Sequence, residues 1–516
     1  MVLSGLMVVI ILFFYSPHFI LKYVFSDELY RASLQFTSSS KWYILFFYVT
    51  FLLLGVFFIF RFGVLSLFFN HLKYFSYEVK RFYTQGELSP VFRGGLVFLS
   101  LVFVFVSITL VFILPVSEDE AATKLYFIDR GVLVSWLYYP APNNHIFYSM
   151  MMAFMVKLFD SIYAMRLFNV VVMWGVLITC FQIARQYLSS FLSIVAVCML
   201  AFHFQFIWYA THARGYALYM FLAVVFYYLL LKPIRSRGQW MFAGLLGAAG
   251  LCVIPSFIYV YLSAVLVYAF SYTLKIKEHR TFLLRCIMIS VIITLVFYIP
   301  PLVVNGVGAF TSNAWTAAKG FTFTQYTDFI TDLGHWLFLI PYGKWLFIPL
   351  FGLIAYVSVK KTRKYALLIP FVVVFIIPLT HGVYPYPRVF IYLLPLLIGI
   401  CCCLLLGMKR PFRNSVSVLL VVLTMVGSGY TLYNIFYEGF GSYRYHQPLG
   451  AFLTHENIRL SNVSENNYYT MLRYYHGESL FDEQSGYVLS AHHRQHLKLS
   501  KGEVYIDPYV VVRKKN

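Results

Sequence analysis

The chain has 516 residues, 60% of them hydrophobic and 12% charged, with 40 Lys and Arg against 20 Asp and Glu. Ordinary soluble domains are roughly 25% charged, so the composition argues against a conventional water-soluble fold. The net charge of +20 sits in short segments between apolar runs, which is the pattern of cytoplasmic membrane loops and argues against a nucleic-acid partner.

Apolar stretches of about 20 residues, each able to cross a hydrocarbon core about 30 Å thick, recur along the sequence. They predict an all-α polytopic membrane protein with about 13 transmembrane helices, near 3–24, 42–64, 94–115, 166–185, 190–209, 216–231, 239–254, 256–274, 283–304, 340–359, 364–380, 389–407 and 414–433. No small-residue cleavage site follows "MVLSGLMVVIILFF", so the first stretch reads as an uncleaved span.

Alternating the loops puts Lys73, Lys80, Arg81 and Arg93 on one side, together with Lys232, Arg235, Arg237, Lys275, Lys277, Arg280 and Arg285. Lys360, Lys361, Arg363, Lys364, Lys409, Arg410 and Arg413 fall on that side too, the expected cytoplasmic face. The other face receives "SEDEAATKLYFIDRG", "THARGYAL", the 305–333 loop, "HGVYPYPRV" and the polar tail. "NNHIFYSMMMAFMVKLF" (143–159) is apolar, but counting it as a crossing would invert every later loop against its charges. It therefore reads as a helix in the outer interface.

The expected organisation is two N-terminal spans with a cytoplasmic loop (1–93), a transmembrane core (94–434) whose first outer loop is 116–165, and a small polar extracytoplasmic unit (435–516). The seven cysteines lie almost entirely in apolar runs and read as packing residues. No internal repeat supports an inverted-repeat transporter, and no phosphate-cradling Gly-rich loop offers a nucleotide site.

Glu118, Asp119 and Glu120 stand together where a span reaches the outer face, in a chain poor in acids. Other polar residues of that face also fall at span ends: Asn143, Asn144 and His145, then His212 and Arg214, then Arg388. Carboxylates facing two arginines and histidines across an apolar rim suit an anionic, lipid-borne substrate. The arginines can hold phosphate by charge-assisted hydrogen bonds, and a carboxylate can take a hydroxyl proton.

In order, "SEDEAATKLY", "YYPAPNNHIFYSMM", "RLFNVVVMWGVLITCFQIARQYL", "WYATHARGYALYMF" and "YPYPRVFIYLLPLL" resemble the GT-C superfamily of membrane glycosyltransferases. The nearest likeness is to protein O-mannosyltransferases and the bacterial aminoarabinose transferase that modifies lipid A. The likeness covers about 94–405, with the spans in 3–64 extra to the common core. It implies a GT-C-type bundle with interface helices, in a bacterial cytoplasmic membrane, working at the outer face. Such an enzyme moves a sugar from a polyprenyl-phosphate donor to a hydroxyl of a lipid, polysaccharide or protein, usually with inversion. Asp119 would be the base and Glu120 its orienting or metal-binding neighbour, with Glu118 as substitute because the register of three acids is open. Arg214 and Arg388 would bind the carrier phosphate. Asn143, Asn144 and His145 would line the sugar or acceptor pocket. Several relatives carry an acid where "THARGYAL" has none, which weighs against a two-carboxylate metal site; a divalent cation, if used, would sit on Asp119 and Glu120.

Blander readings stand beside these. His203 reads as a packed histidine, His212 as closer to the cavity, and Tyr216 as an interface aromatic that could also touch substrate. Trp136, Tyr138 and Tyr139 fit an aromatic belt as well as a sugar platform. The 305–333 loop, with Trp315, Lys319, Asp328 and Asp332, is a candidate lid. A flippase for lipid-linked saccharides and an O-antigen ligase or polymerase are the alternative functions. The first expects charges deep in the spans, and the second expects a later Arg-rich loop.

Overall fold

The computed structural model describes residues 89–139, 144–234, 236–273, 276–305, 308–311, 322–339, 343–347 and 365–434. In the C-terminal region it describes 449–463, 471–472, 474–475, 480–481, 487–491, 503–506 and 510–514. The expected spans 3–24 and 42–64, most of 340–359, and the candidate residues Asn143, Trp315 and Lys319 lie outside the described residues.

The membrane-embedded part is helical. Helix α1 (Pro90–Ile113) leads to the short α2 (Glu118–Thr123), a π-turn (Lys124–Ile128), α3 (Val132–Leu137) and α4 (Ile146–Met155). The bundle continues with α5 (Ile162–Tyr187), α6 (Ser190–Phe202), α7 (Phe204–Thr211), α8 (Tyr216–Leu230) and α9 (Arg237–Val253). After these come α10 (Ile258–Tyr268), α11 (Lys277–Asn305), the short α12 (Gly308–Thr311) and α13 (Phe323–Phe338). Helices α14 (Tyr365–His381), α15 (Leu393–Leu405) and α16 (Arg410–Asn434) complete the set.

Five segments are each long and apolar enough to cross a membrane: α1, α5, Pro255–Thr273 around α10, Lys277–Leu302 of α11, and α16. The pair α6 and α7, bent by 58° at His203, makes a sixth if it counts as one broken span. Among the described residues, five or six helices thus have the length and apolarity of a crossing against 13 expected, while helices α8, α9, α14 and α15 are apolar but shorter. Outward faces of α1 (Phe98, Leu101, Phe105), α11 (Leu284, Met288) and α16 (Val418, Val422, Val426) leave large apolar side chains exposed. In water such faces would be sticky, whereas in lipid they are the solvated surface. This is an integral membrane protein.

Between these faces the core joins α5 (Met173, Phe181), α8 (Tyr219, Phe226), α10 (Tyr268) and α15 (Leu394). Helix α9 meets α11 through small residues. A Cβ on Gly244 would come within 2.9 Å of Ile289, and Ser290 donates to the Gly244 carbonyl at 2.8 Å. Without a hydrophobic drive between helices in lipid, such close backbone approach is what packs them.

Helix α4, expected in the outer interface, has 10 residues, too few to cross a hydrocarbon core. The candidate lid region carries α13, whose N-cap Thr322 accepts from the Gln325 N–H. Against the all-α expectation, the described residues of the C-terminal region hold a four-stranded sheet: β1 (Leu460–Val463), β2 (Tyr487–Ala491), β3 (Glu503–Ile506) and β4 (Val510–Lys514), in the order β1-β2-β4-β3. β1 runs parallel to β2, and the other pairings are antiparallel. From this region Met471 is buried against Val116, Ala121 and Tyr148, with Tyr474 and Tyr475 beside it. The tail is therefore docked on the loop that bears the acids.

Candidate active site at one end of the helix bundle

The C-terminal end of α1 and the N-terminal ends of α5, α8 and α15 meet around α2. Helix α8 runs from Tyr216 in this cluster to Leu230, just before Lys232, so the basic loop lies at its opposite end.

Helix α2 forms because Ser117 and Glu120 make a reciprocal cap. The Glu120 N–H donates to Ser117 Oγ at 3.3 Å, and the Ser117 N–H donates to Glu120 Oε2 at 2.9 Å. The same Glu120 carboxylate is fully buried and takes a two-pronged contact from Arg166: Nε to Oε1 at 2.8 Å and Nη2 to Oε2 at 2.7 Å. The Ala213 N–H adds a bond of 2.6 Å to Oε1. Arg166 also donates to the carbonyls of Val111, Leu114 and Pro115, closing the end of α1. Burial opposes charge on Glu120. The nearby His212 ring in its charged form, the Arg166 guanidinium and the Ala213 N–H outweigh it and hold the carboxyl down to about 2. Both Glu120 oxygens are therefore occupied in tying α1, α2, α5 and the 213 turn together.

Asp119, one residue earlier, faces elsewhere. Arg388 Nη1 donates to its Oδ2 at 3.1 Å, and Arg214 Nη1 lies 3.7 Å from Oδ1. Its side chain keeps 36% of its surface, and that of Arg388 keeps 34%. Burial favours the protonated acid, but Arg214 and then Arg388 outweigh it and hold the carboxyl below its ordinary value. Glu118 opens α2 and is half-buried.

Arg214 is buried and donates to the Asp119 carbonyl and to Thr123 Oγ1, each at 2.9 Å. Asn169 of α5 donates to the carbonyls of His212 and Arg214, which fixes this turn. His145 accepts the Gly215 N–H on Nδ1 at 2.8 Å. A Cβ on Gly215 would fall 2.9 Å from His145 Cβ, so only glycine allows this approach. Burial, then the charges of Arg214 and Arg388, push His145 well below 6.5 and keep it neutral at neutral pH. Its proton is then on Nε2, 3.4 Å from Arg214 Nη2. Two donors stand side by side.

Arg388 rides on a turn (Pro387–Phe390) anchored by Tyr219, whose hydroxyl donates to the Val389 carbonyl at 2.6 Å. Its guanidinium lies over the rings of Tyr386 and Tyr216, 4.8 and 5.9 Å from their centroids. Tyr216 in turn meets His145 edge-on.

Asp119, Arg214, Arg388, His145 and Tyr216 thus come together. His212 sits behind them, its Nδ1 bonded to the Trp208 carbonyl at 2.8 Å; burial lowers its pKa. Asn144 is buried and donates to the carbonyls of Ser135 and Tyr138, so it shapes the loop rather than lining an open pocket. Trp136 is buried with its N–H on the Phe297 carbonyl, and Tyr139 stacks on Phe310, which leaves neither face for a sugar. His203 accepts from the Gln205 N–H as the cap of α7 and contacts the Leu337 carbonyl. Arg166, Asn169 and Thr123 were not picked out from sequence. The available signal for the first was an arginine at the head of an apolar helix.

The chain matches no family model and no curated protein sequence.

Proposed function

We propose that this protein is a membrane glycosyltransferase that takes a sugar from a polyprenyl-phosphate donor and passes it to an acceptor hydroxyl at the outer face. The observation that carries this reading is the half-open Asp119 carboxylate between Arg388 and Arg214, at the end of the bundle away from the basic loops. Asp119 accepts the acceptor's O–H proton as that oxygen bonds to the sugar's anomeric carbon. The bond from this carbon to phosphate breaks on the opposite face, and polyprenyl phosphate leaves with the electron pair. Arg388, the more open arginine, neutralises that phosphate, aided by the donor edge that His145 Nε2 and Arg214 present.

A carboxylate held this low is a weak base in the resting state. When the donor phosphate draws Arg388 toward itself, Asp119 loses a positive neighbour and becomes more basic, so donor binding arms the base. The residues do not suit a metal. Glu120 is saturated by Arg166 and two N–H groups, and Asp119 faces two guanidinium groups that would repel a cation.

Reconstitution into vesicles with labelled polyprenyl-phosphate sugar tests the reading. Release of polyprenyl phosphate with glycosylated product, abolished by Asp119→Asn, is the expected result. Transbilayer movement of the donor without product would overturn it in favour of a carrier.

A further inference from the structure

Beside the arginine-carboxylate cluster, α7, α13, α16 and the Pro387 turn line an open cleft of about 360 Å³. This falls in the range of small-molecule sites, roughly 300–1,000 Å³. Asp332, His335 and Trp336 stand at positions i, i+3 and i+4 of α13, so one helix face presents a carboxylate, an imidazole and an indole to it. Gln205 of α7 contributes the deciding observation. It is only 7% exposed, lines the cleft, and its side-chain amide finds no partner among the described residues. A nearly buried amide turned toward an open space calls for a ligand that hydrogen-bonds it. Thr431 adds a hydroxyl at the rim.

We infer that this cleft binds a saccharide, the acceptor glycan of the transfer proposed above, on which the identification of the ligand as acceptor rests. A pyranose offers an apolar C–H face to an aromatic ring and hydroxyls at its edge to amide and carboxylate. Trp336 supplies the ring, while Gln205 and Asp332 supply the polar edge. A lipid acyl chain would leave Gln205 and Asp332 unsatisfied. The cleft adjoins the candidate site: Trp336 packs near Tyr209, Tyr209 against Tyr216, and Pro387 directly precedes Arg388. Pro387 of the cleft wall and Arg388 of the candidate site are adjacent in the chain, so a sugar held there is a near neighbour of that site.

The test uses the full chain in nanodiscs, labelled with fluorotryptophan and without any donor. The Trp336 fluorine resonance, assigned by its loss in Trp336→Phe, is followed as maltose, N-acetylglucosamine and methyl mannoside are added, with glycerol as control. The expected result is a saturable shift with at least one saccharide, weakened about tenfold or more in both Gln205→Leu and Asp332→Asn. No shift with any of the three, a shift unchanged in both variants, or an equal shift with glycerol overturns the inference. Because no transfer is read, saccharide binding in a protein inactive toward polyprenyl-phosphate sugar would sink the proposed reaction and leave this cleft standing. Transfer activity with an unresponsive Trp336 would do the reverse.

Discussion

Asp119 and Glu120 are joined by one peptide bond, yet their carboxylates are held by different arginines in different surroundings. Glu120 is sealed with Arg166 in the interior, and Asp119 meets Arg388 at a surface one-third open. A helical turn that sends adjacent side chains about 100° apart is enough to separate structure from chemistry.

Neutralising each acid should therefore give opposite phenotypes. Asp119→Asn is expected to abolish transfer while the protein elutes and melts like the parent. Glu120→Gln leaves the buried Arg166 charge uncompensated, at a cost of about 3–5 kcal/mol. Thermal unfolding followed by fluorescence-detected size exclusion separates the two. Equal melting of both variants would contradict the assignment.

Arg388→Ala should raise the KM for the lipid-linked donor by about 10–100-fold, the loss of one charge-assisted bond. Arg388→Lys should recover part of it, because the point charge survives while the fork geometry does not. Initial rates over donor concentration, at fixed acceptor, decide this.

Although burial favours the protonated acid, Arg214 and Arg388 hold the Asp119 carboxyl below its ordinary value, so the ionised form that the proposed reaction needs persists to lower pH than in a free carboxylate. The acid limb of kcat/KM should fall there, and Arg388→Ala should move it upward by removing a positive neighbour. Stability follows Glu120 instead. Its folded value of about 2 is depressed from 4.5, so its contribution is complete above 4.5 and is lost as pH falls toward 2. Melting temperature against pH should show that decline, and Glu120→Gln should flatten it.

Gly215→Ala places a methyl group against His145. The expected outcome is a loss of donor affinity together with lowered thermal stability, measured in the same two assays. A Met471→Ala change, which empties a buried contact between the tail and the acidic loop, should cost about 2–5 kcal/mol. Protease sensitivity of the C-terminal region reads it directly.

The helices were legible because hydropathy alone marks apolar runs: each expected span within 89–305 and 365–434 falls on helical residues, with 190–209 split into two helices. The grouping of Asp119, His145, Arg214 and Arg388 was legible from loop alternation, since all four fall at span ends on one face. Arg166 was hidden because an arginine at the head of an apolar helix looks like one that snorkels to the interface. Only the folded structure reveals that it turns inward to Glu120. The strands were hidden for another reason: they are four or five residues long, too short for an alternating pattern to stand out. Nor does any residue type announce the 58° bend at His203.

The three carbonyls that Arg166 closes belong to a segment made some fifty residues earlier in synthesis. Until α5 arrives, those oxygens and the Glu120 carboxylate lack their Arg166 partner, and the segment around α2 is not yet tied to the bundle. The Ala213 N–H comes later still. Assembly of the candidate site is thus a late event in biogenesis, contingent on correct insertion of the middle of the chain. A misrouted polypeptide would leave Asp119 and Glu120 without the arginines that hold them.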